Sequence, residues 1–259
     1  MTQTKGGVPH LFDCWKQVSR KVRASNDIRL FLDFDGTLVS YCDSPEDVRL
    51  SGESRRILAR LARHRRVHVA IVSGRRNAAL RKFIQVPHTQ FLGLFGWEKG
   101  GTPALPRVTK RALRSLWSDL APVPASFPGV GVEDKGDSFA VHFRGASPDV
   151  QRRVQLRVRR LIARTHPDFR VIRSNHACEI VPRQVQGKGV AMREFVRALR
   201  APVLPIYVGD DLTDEPAFTA LRRGITIRVG PFSETRARFR LKNPDEVRVF
   251  LERLEEELD

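Results

Sequence analysis

The chain has 259 residues, 41% hydrophobic and 29% charged, enough for one large or two modest domains, each with its own core. No apolar run approaches the length that spans a bilayer, and the opening MTQTKGGVPH lacks the apolar stretch of a secretory signal, so a cytoplasmic protein is expected. The net charge of +17, carried by 46 basic residues of which only nine are lysine, favours anionic partners in general; the arginines are scattered along helices without an aromatic-interleaved patch, so neither nucleic acid nor a membrane is the expected partner.

Cys14, Cys42 and Cys178 are odd in number and far apart, with no ligand spacing, which reads as reduced thiols. His64 and His68 are four residues apart but have no carboxylate between them, and they straddle a helix end, so they read as solvated. A monomer is expected.

Residues 1–27 are polar, with a weak helical pattern around Leu11, Trp15 and Val18 and no assigned chemistry. Ile28, Leu30, Phe31, Leu32 and Phe34 then form the nearly continuous apolar run of a strand buried on both faces of a parallel sheet. It ends in Asp33, Phe34, Asp35, Gly36 and Thr37. Two carboxylates two residues apart, with a glycine turn behind them, sit at the strand's carboxyl end, the usual ligand crevice of open α/β sheets. So close a pair needs a neutralising cation or a retained proton, and a hard divalent ion, Mg²⁺ first, suits oxygen ligands. A strand end whose acids only cap the next turn fits the same residues.

Ser44, Pro45, Glu46 and Asp47 read as a cap, followed by a helix over about 51–64 with Ile57, Leu58, Leu61 and Ala62 on one face. A second buried strand, Val67 to Val72, ends in Ser73-Gly74-Arg75 just before a helical stretch at 76–84, where a hydroxyl and free N–H groups would suit a phosphate, although Ser-Gly taken alone reads as turn punctuation. A third strand, Phe91 to Phe95, ends in Gly96-Trp97-Glu98.

Gly100 to Pro106 holds two glycines and two prolines and reads as a domain boundary. Beyond it come a helix near 107–120, Pro- and Gly-rich sequence at 122–131, and an alternating strand, Ser138 to Arg144. Then follow a helix capped by Ser147 with Val150, Val154, Val158, Leu161 and Ile162 on one side, and strands near 169–173 and 177–181. Residues 107–184 thus read as an inserted α+β unit with 15 basic and 7 acidic residues, suited to cover an anion site. Gln186, Gly187, Lys188 and Gly189 open a helix through Met192, Phe195, Val196 and Leu199. A buried strand, Leu204 to Val208, runs into Gly209, Asp210, Asp211, Leu212, Thr213, Asp214 and Glu215. A helix with Phe218 and Leu221, a last strand at Ile225 to Val229, and a packing helix with Val247, Phe250, Leu251, Leu254 and Leu258 complete the chain.

In order and spacing, the Asp33/Asp35 turn, Ser73, Lys188 and the 210–215 acids resemble the four motifs of haloacid dehalogenase-like (HAD) phosphatases. The likeness extends to the trehalose-phosphatase family over residues 28 to 257. It is carried by Asp33 to Leu38 with Pro45, Val69 to Arg75, Val132 to Lys135, His142-Phe143-Arg144, Glu179-Ile180-Val181-Pro182, Lys188-Gly189-Val190-Ala191 and Gly209 to Phe218.

The resemblance implies an α/β fold, a HAD-like Rossmannoid parallel-sheet core with an inserted α+β cap: core over 1–106 (1–27 as an N-terminal extension) and 185–259, cap over 107–184. It implies an Mg²⁺-dependent phosphatase acting on trehalose 6-phosphate through an aspartyl-phosphate. Asp33 would be the nucleophile and Asp35 the general acid and base. The ion would be held by Asp33, the Asp35 backbone carbonyl, Asp210 and Asp214. Thr37, Ser73, Gly74 and Lys188 would hold the phosphoryl group. From the cap, Glu133, Lys135, Arg144 and Glu179 would bind the sugar. Asp211 and Glu215 would orient the loop and the helix start rather than touch the ion. The sequence departs from the family pattern at Phe95, where His is usual, at Asn175, where Lys is frequent, and at Val181, where Arg is usual. These departures bear on the sugar, since such specificity rests on a few paired polar contacts. Phosphatases for other glycosyl phosphates (sucrose-, glucosylglycerol- or mannosylglycerate-type) and a non-catalytic sugar-phosphate binder are the alternatives.

Overall fold

The computed structural model describes residues 7–42, 48–99, 105–198, 202–231 and 234–258. The cap expected at Ser44 to Asp47, Leu199, and most of the Gly100 to Pro106 boundary lie outside the described residues.

Eleven strands are formed among the described residues: β1 (Ile28–Leu32), β2 (Val67–Val72), β3 (Gln90–Leu92), β4 (Glu98–Lys99), β5 (Gly131–Asp134), β6 (Phe139–His142), β7 (Phe169–Arg173), β8 (Ala177–Pro182), β9 (Leu204–Gly209), β10 (Ile225–Val229) and β11 (Phe239–Leu241). The chain divides into two compact units, one of residues 1–101 with 188–259 and the other of residues 102–187.

In the first unit seven strands line up in the order β11-β10-β9-β1-β2-β3-β4, all parallel except the β3–β4 pair. The alternation of side chains explains why the runs are apolar on both faces, Arg29 and His68 apart. Leu30 and Leu32 of β1, Val69 and Ile71 of β2, and Ile206 and Val208 of β9 join one buried cluster. Phe31, Ala70, Val72 and Tyr207, the residues between them, join the other. Each face therefore needs a helical layer. The helix Gly52–Arg63 covers the first face with Ile57, Leu58 and Leu61; its start is capped by Ser51, whose Oγ accepts from the Ser54 N–H at 3.1 Å. The helix Pro244–Glu256 joins it through Val247, Phe250, Leu251 and Leu254, behind an Asn243 cap accepting from the Glu246 N–H at 3.0 Å. Met192 of helix Lys188–Ala198 and Phe218 of helix Glu215–Ala220 cover the opposite face.

The polar N-terminal stretch packs more firmly than its composition suggests. Leu11, Val18 and Val22 are sealed into the core, and the Leu11 N–H bonds the Arg240 carbonyl beside β11 at 3.0 Å. The sequence leads to Ile225–Val229 as the last strand, yet β11 follows it. Phe239 and Leu241 are buried, but arginines at 236, 238 and 240 hide the alternation.

The second unit holds a four-stranded antiparallel sheet, β5-β6-β8-β7. The helices Arg107–Leu120 and Pro148–Thr165 pack Leu116, Leu120, Val154, Val158 and Ile162 against Phe139, Val141, Phe169, Cys178 and Ile180 of this sheet. β5 is missed by the periodicity because Gly131-Val132-Glu133-Asp134 is only half apolar and lies on the sheet edge. Among the described residues no helix is long and apolar enough to cross a membrane.

Candidate active site

β1 lies between β9 and β2, so the sheet runs off in opposite directions from it, and a parallel sheet gathers functional side chains at the carboxyl ends of such strands. Asp33 follows the last residue of β1, and its N–H bonds the Val208 carbonyl of β9 at 2.9 Å. Asp210 and Asp214 follow β9 itself. Asp33, Asp210 and Asp214 are buried, and each offers a carboxylate oxygen within 4.8 Å of the others.

Lys188, at the start of its helix and 2% exposed, places Nζ 2.8 Å from Asp33 Oδ2 and 2.8 Å from Asp214 Oδ1. Burial alone would lower its pKa, but the charges of Asp214 and Asp33 outweigh that and raise it, so Lys188 stands as a cation. Burial pushes the Asp33 carboxyl well up; Lys188 pulls it back, and Asp214 and Asp210 push it up further. Burial, then the charges of Asp214 and Asp211, push Asp210 up to about 7.

Each carboxylate is held by neighbours. The Phe34 N–H donates to Asp33 Oδ1 at 2.7 Å, leaving Oδ2 toward Lys188. Asp214 Oδ1 accepts from Tyr207 Oη at 2.7 Å as well as from Lys188, and Oδ2 accepts from the Asp211 N–H at 2.9 Å. Asp210 Oδ1 accepts from Thr37 Oγ1 at 3.1 Å, and Oδ2 accepts from Tyr41 Oη at 2.7 Å. Thr37, expected on the phosphoryl group, thus spends its hydroxyl on Asp210. Gly36 is required at the turn: its φ is +81°, and a Cβ there would sit 2.2 Å from Asp210 Oδ2.

Asp35 points elsewhere. Its carboxylate takes a two-pronged bond from Arg75, Nε to Oδ2 and Nη2 to Oδ1, each at 2.7 Å. Ser73, at the end of β2, accepts the Arg75 N–H on Oγ at 3.1 Å.

The turn after β3 secures that loop. The strand expected to reach Phe95 stops at Leu92, because Leu94 and Phe95 take left-handed backbone, φ +45° and +60°. This bend lets the Phe95 N–H reach the Ser73 carbonyl at 2.8 Å and the Leu94 N–H reach the Arg75 carbonyl at 2.9 Å. The Phe95 ring lies so close over Gly74 that a Cβ on Gly74 would be 2.8 Å from it. Glu98, 1% exposed, accepts the Asn77 N–H at 2.6 Å at the start of helix Asn77–Ile84.

Asp211 bonds within the loop, while Glu215 reaches the segment at 235–236 instead of the loop or helix start expected of it. Asp211 Oδ1 accepts the Thr213 N–H at 2.9 Å; Glu215 accepts from Thr235 Oγ1 and the Arg236 N–H, each at 2.7 Å.

In the second unit, Lys135 Nζ bonds both oxygens of Glu179 at 3.0 and 2.9 Å and stands 3.9 Å from Glu133. Glu133 also meets His142 Nε2 at 2.8 Å. Arg144, just past β6, is exposed. Sequence reasoning missed Tyr41, Tyr207 and the Arg75 side chain. Tyr207 falls inside an apolar strand where its ring reads as core; Arg75 lay within a quoted motif.

The donor set suits a hard cation: three buried carboxylates converge on one another, with Lys188 bonded to two of them. Asp33, Asp210 and Asp214 fit such an ion; the Asp35 carboxylate is committed to Arg75, so only its backbone carbonyl is left for that purpose.

The family model for trehalose-phosphatase matches residues 31–245. Trehalose 6-phosphate phosphatase RA3 of Zea mays is 31% identical over 253 residues, covering 88% of this chain and 69% of that protein. The trehalose-6-phosphate phosphatase C-terminal domain of C. albicans superposes with a TM-score of 0.84 at 20% identity, covering 98% of this chain and 99% of that one. A haloacid dehalogenase-like hydrolase from Bacteroides thetaiotaomicron superposes with a TM-score of 0.60 at 15% identity, over 88% and 99%. The fold is HAD-like, and the chain belongs to the trehalose-phosphatase family.

Proposed function

We infer that the protein is a phosphoric monoester hydrolase that releases phosphate from trehalose 6-phosphate in the cytoplasm. The observation that carries this is the buried set of Asp33, Lys188, Asp210 and Asp214, gathered at the carboxyl ends of β1 and β9 in a chain of this family.

Asp33 is the nucleophile of this proposal. Its Oδ forms a bond to phosphorus as the ester P–O bond breaks, and the electron pair leaves on the sugar oxygen, which takes a proton from the Asp35 carboxyl. In the second half a water oxygen attacks phosphorus and gives its proton to Asp35, and the bond between phosphorus and Asp33 breaks. The Phe34 N–H fixes one Asp33 oxygen and leaves the other to react. Lys188 steadies that oxygen beforehand and answers the charge on the phosphoryl oxygens as it develops. Ser73 and the Gly74 backbone bind the same group, while Tyr207 and the Asp211 N–H hold Asp214 in place for Lys188. A bound Mg²⁺ would offset the carboxylate charges so that an anionic nucleophile meets an anionic phosphate.

Residues 102–187 act as the cap in this reading, with Glu133, Lys135, Arg144 and Glu179 hydrogen-bonding the sugar. Phosphate release from trehalose 6-phosphate, set beside sucrose-, glucosylglycerol- and mannosylglycerate-type phosphates with and without Mg²⁺, tests the assignment. Fast, Mg²⁺-dependent turnover of trehalose 6-phosphate is expected, and D33N abolishes it without unfolding the chain. Negligible turnover of that substrate beside a fast rival reassigns the sugar.

A further inference from the structure

We propose that Arg75 is the positioning residue for Asp35, aiming its carboxyl at the leaving sugar oxygen. The inference rests on the reading of Asp35 as proton donor.

Asp35 sits at a turn, where its carboxylate has several staggered rotamers open to it and the negative set of Asp33, Asp210 and Asp214 close in the chain and the sheet. One residue removes that freedom. Both Asp35 oxygens are taken by a single guanidinium, a planar fork that fixes direction as well as distance. The fork is itself braced by two rings. Its Cζ lies 5.7 Å from the Phe34 ring centroid and 5.2 Å from that of Phe83, two rings stacked on each other at 6.2 Å and 11°. Phe34 is fully buried, Phe83 nearly so, and the Arg75 side chain is 16% exposed.

The backbone of Arg75 is pinned as firmly as its side chain. Its N–H is held by Ser73 Oγ, and its carbonyl by the Leu94 N–H. The left-handed turn at Leu94 and Phe95, a backbone conformation that large side chains rarely adopt, makes the second of these bonds possible. So much support is unnecessary for a surface ion pair, which contributes little to stability. It suits a device that must present one carboxyl in one direction.

A proton donor matters most when the departing oxygen is strongly basic, as in a sugar alcohol, and least when it leaves readily, as nitrophenolate does. The test measures kcat/KM for trehalose 6-phosphate and a series of aryl phosphates of increasing leaving-group basicity, from p-nitrophenyl to phenyl phosphate. It compares the wild-type protein, Arg75→Met, Arg75→Lys, Asp35→Asn and the Asp35→Asn/Arg75→Met double variant, with thermal melting of each.

Arg75→Met is expected to lose about tenfold or more on trehalose 6-phosphate and phenyl phosphate but less than about threefold on p-nitrophenyl phosphate, as a lost proton donor would. Arg75→Lys, which keeps charge but offers one prong, falls between wild type and Arg75→Met. The double variant is no worse than Asp35→Asn alone. An equal loss across the series, or none, in Arg75→Met overturns the proposal while a steepened series in Asp35→Asn leaves the reading of Asp35 standing. A flat series in Asp35→Asn overturns both.

Discussion

Lys188 Nζ stands 2.8 Å from Asp33 Oδ2, with the two side chains 2% and 7% exposed. A cation in that position does two things at once: it draws the Asp33 carboxyl down against the upward push of burial, and it pulls Asp214 in from the other side. Removing it leaves buried negative charge without its partner.

Lys188→Met is therefore expected to abolish turnover and to lower stability by about 3–5 kcal/mol, the usual cost of breaking a buried pair from one side. Urea unfolding measures the loss. The deficit should shrink at acid pH, where the orphaned carboxyls take up protons; a loss that stays constant with pH would contradict the electrostatic account.

Protons and a divalent cation are expected to compete for the carboxylate cluster. Asp210 is pushed up to about 7 from an ordinary 3.8, so in that interval the folded chain holds a proton that the unfolded chain does not. The contribution of this group to stability is complete below about pH 4 and is lost as pH rises through about 7. Without the ion, the protein should melt progressively lower over that window, as far as this group is concerned. Adding Mg²⁺ should raise the melting temperature more at about pH 8 than at about pH 5.5, and EDTA should reverse it. An equal Mg²⁺ shift at both values would count against binding at Asp210.

Gly36→Ala is expected to cost roughly 1–3 kcal/mol, the range for a strained left-handed residue, and to reduce activity sharply. The added methyl would press on Asp210 Oδ2 from 2.2 Å, so the carboxylate must turn away from Thr37 and Tyr41. Thermal melting and kcat read the two effects. A variant with a lowered melting point and unchanged kcat would show that Asp210 tolerates being moved.

The cysteines should react in order of access. Cys42 is exposed, Cys14 half-buried and Cys178 buried, and burial pushes the Cys178 thiol up to about 11. Iodoacetamide at about pH 8 should label Cys42 first and reach Cys178 only in denaturant, as mass spectrometry of timed samples would show.

The strands Ile28–Leu32, Val67–Val72 and Leu204–Gly209 are legible in the sequence because both faces are buried and, Arg29 and His68 apart, the runs stay apolar until a carboxylate or hydroxyl follows them. The cap at Ser147 is legible because it follows from local hydrogen-bond chemistry and owes nothing to distant residues; those at Ser51 and Asn243 are of the same kind, but sequence reasoning missed them. Leu94 and Phe95 are different. Two large apolar residues after a strand read as more strand, and only the carbonyls of Ser73 and Arg75, some twenty residues away, reward the left-handed bend. Tyr207 is hidden for a related reason: its ring satisfies the apolar pattern of β9, and the hydroxyl finds Asp214 only once the loop after β9 folds back. β11 escaped because it is only three residues long and arginines at 236, 238 and 240 alternate with its apolar residues.

The central strand β1 takes its two partners from opposite sides of residues 102–187, β2 early in the chain and β9 late. During synthesis one rim of β1 consequently stays open until Leu204–Gly209 has left the ribosome. The Val208 carbonyl that receives the Asp33 amide arrives with that same segment. A nascent chain stalled at Gly187 would carry Asp33 on an uncovered rim, prone to pairing with other chains, so the closing stretch of translation both seals the sheet and brings Asp210 and Asp214 to it.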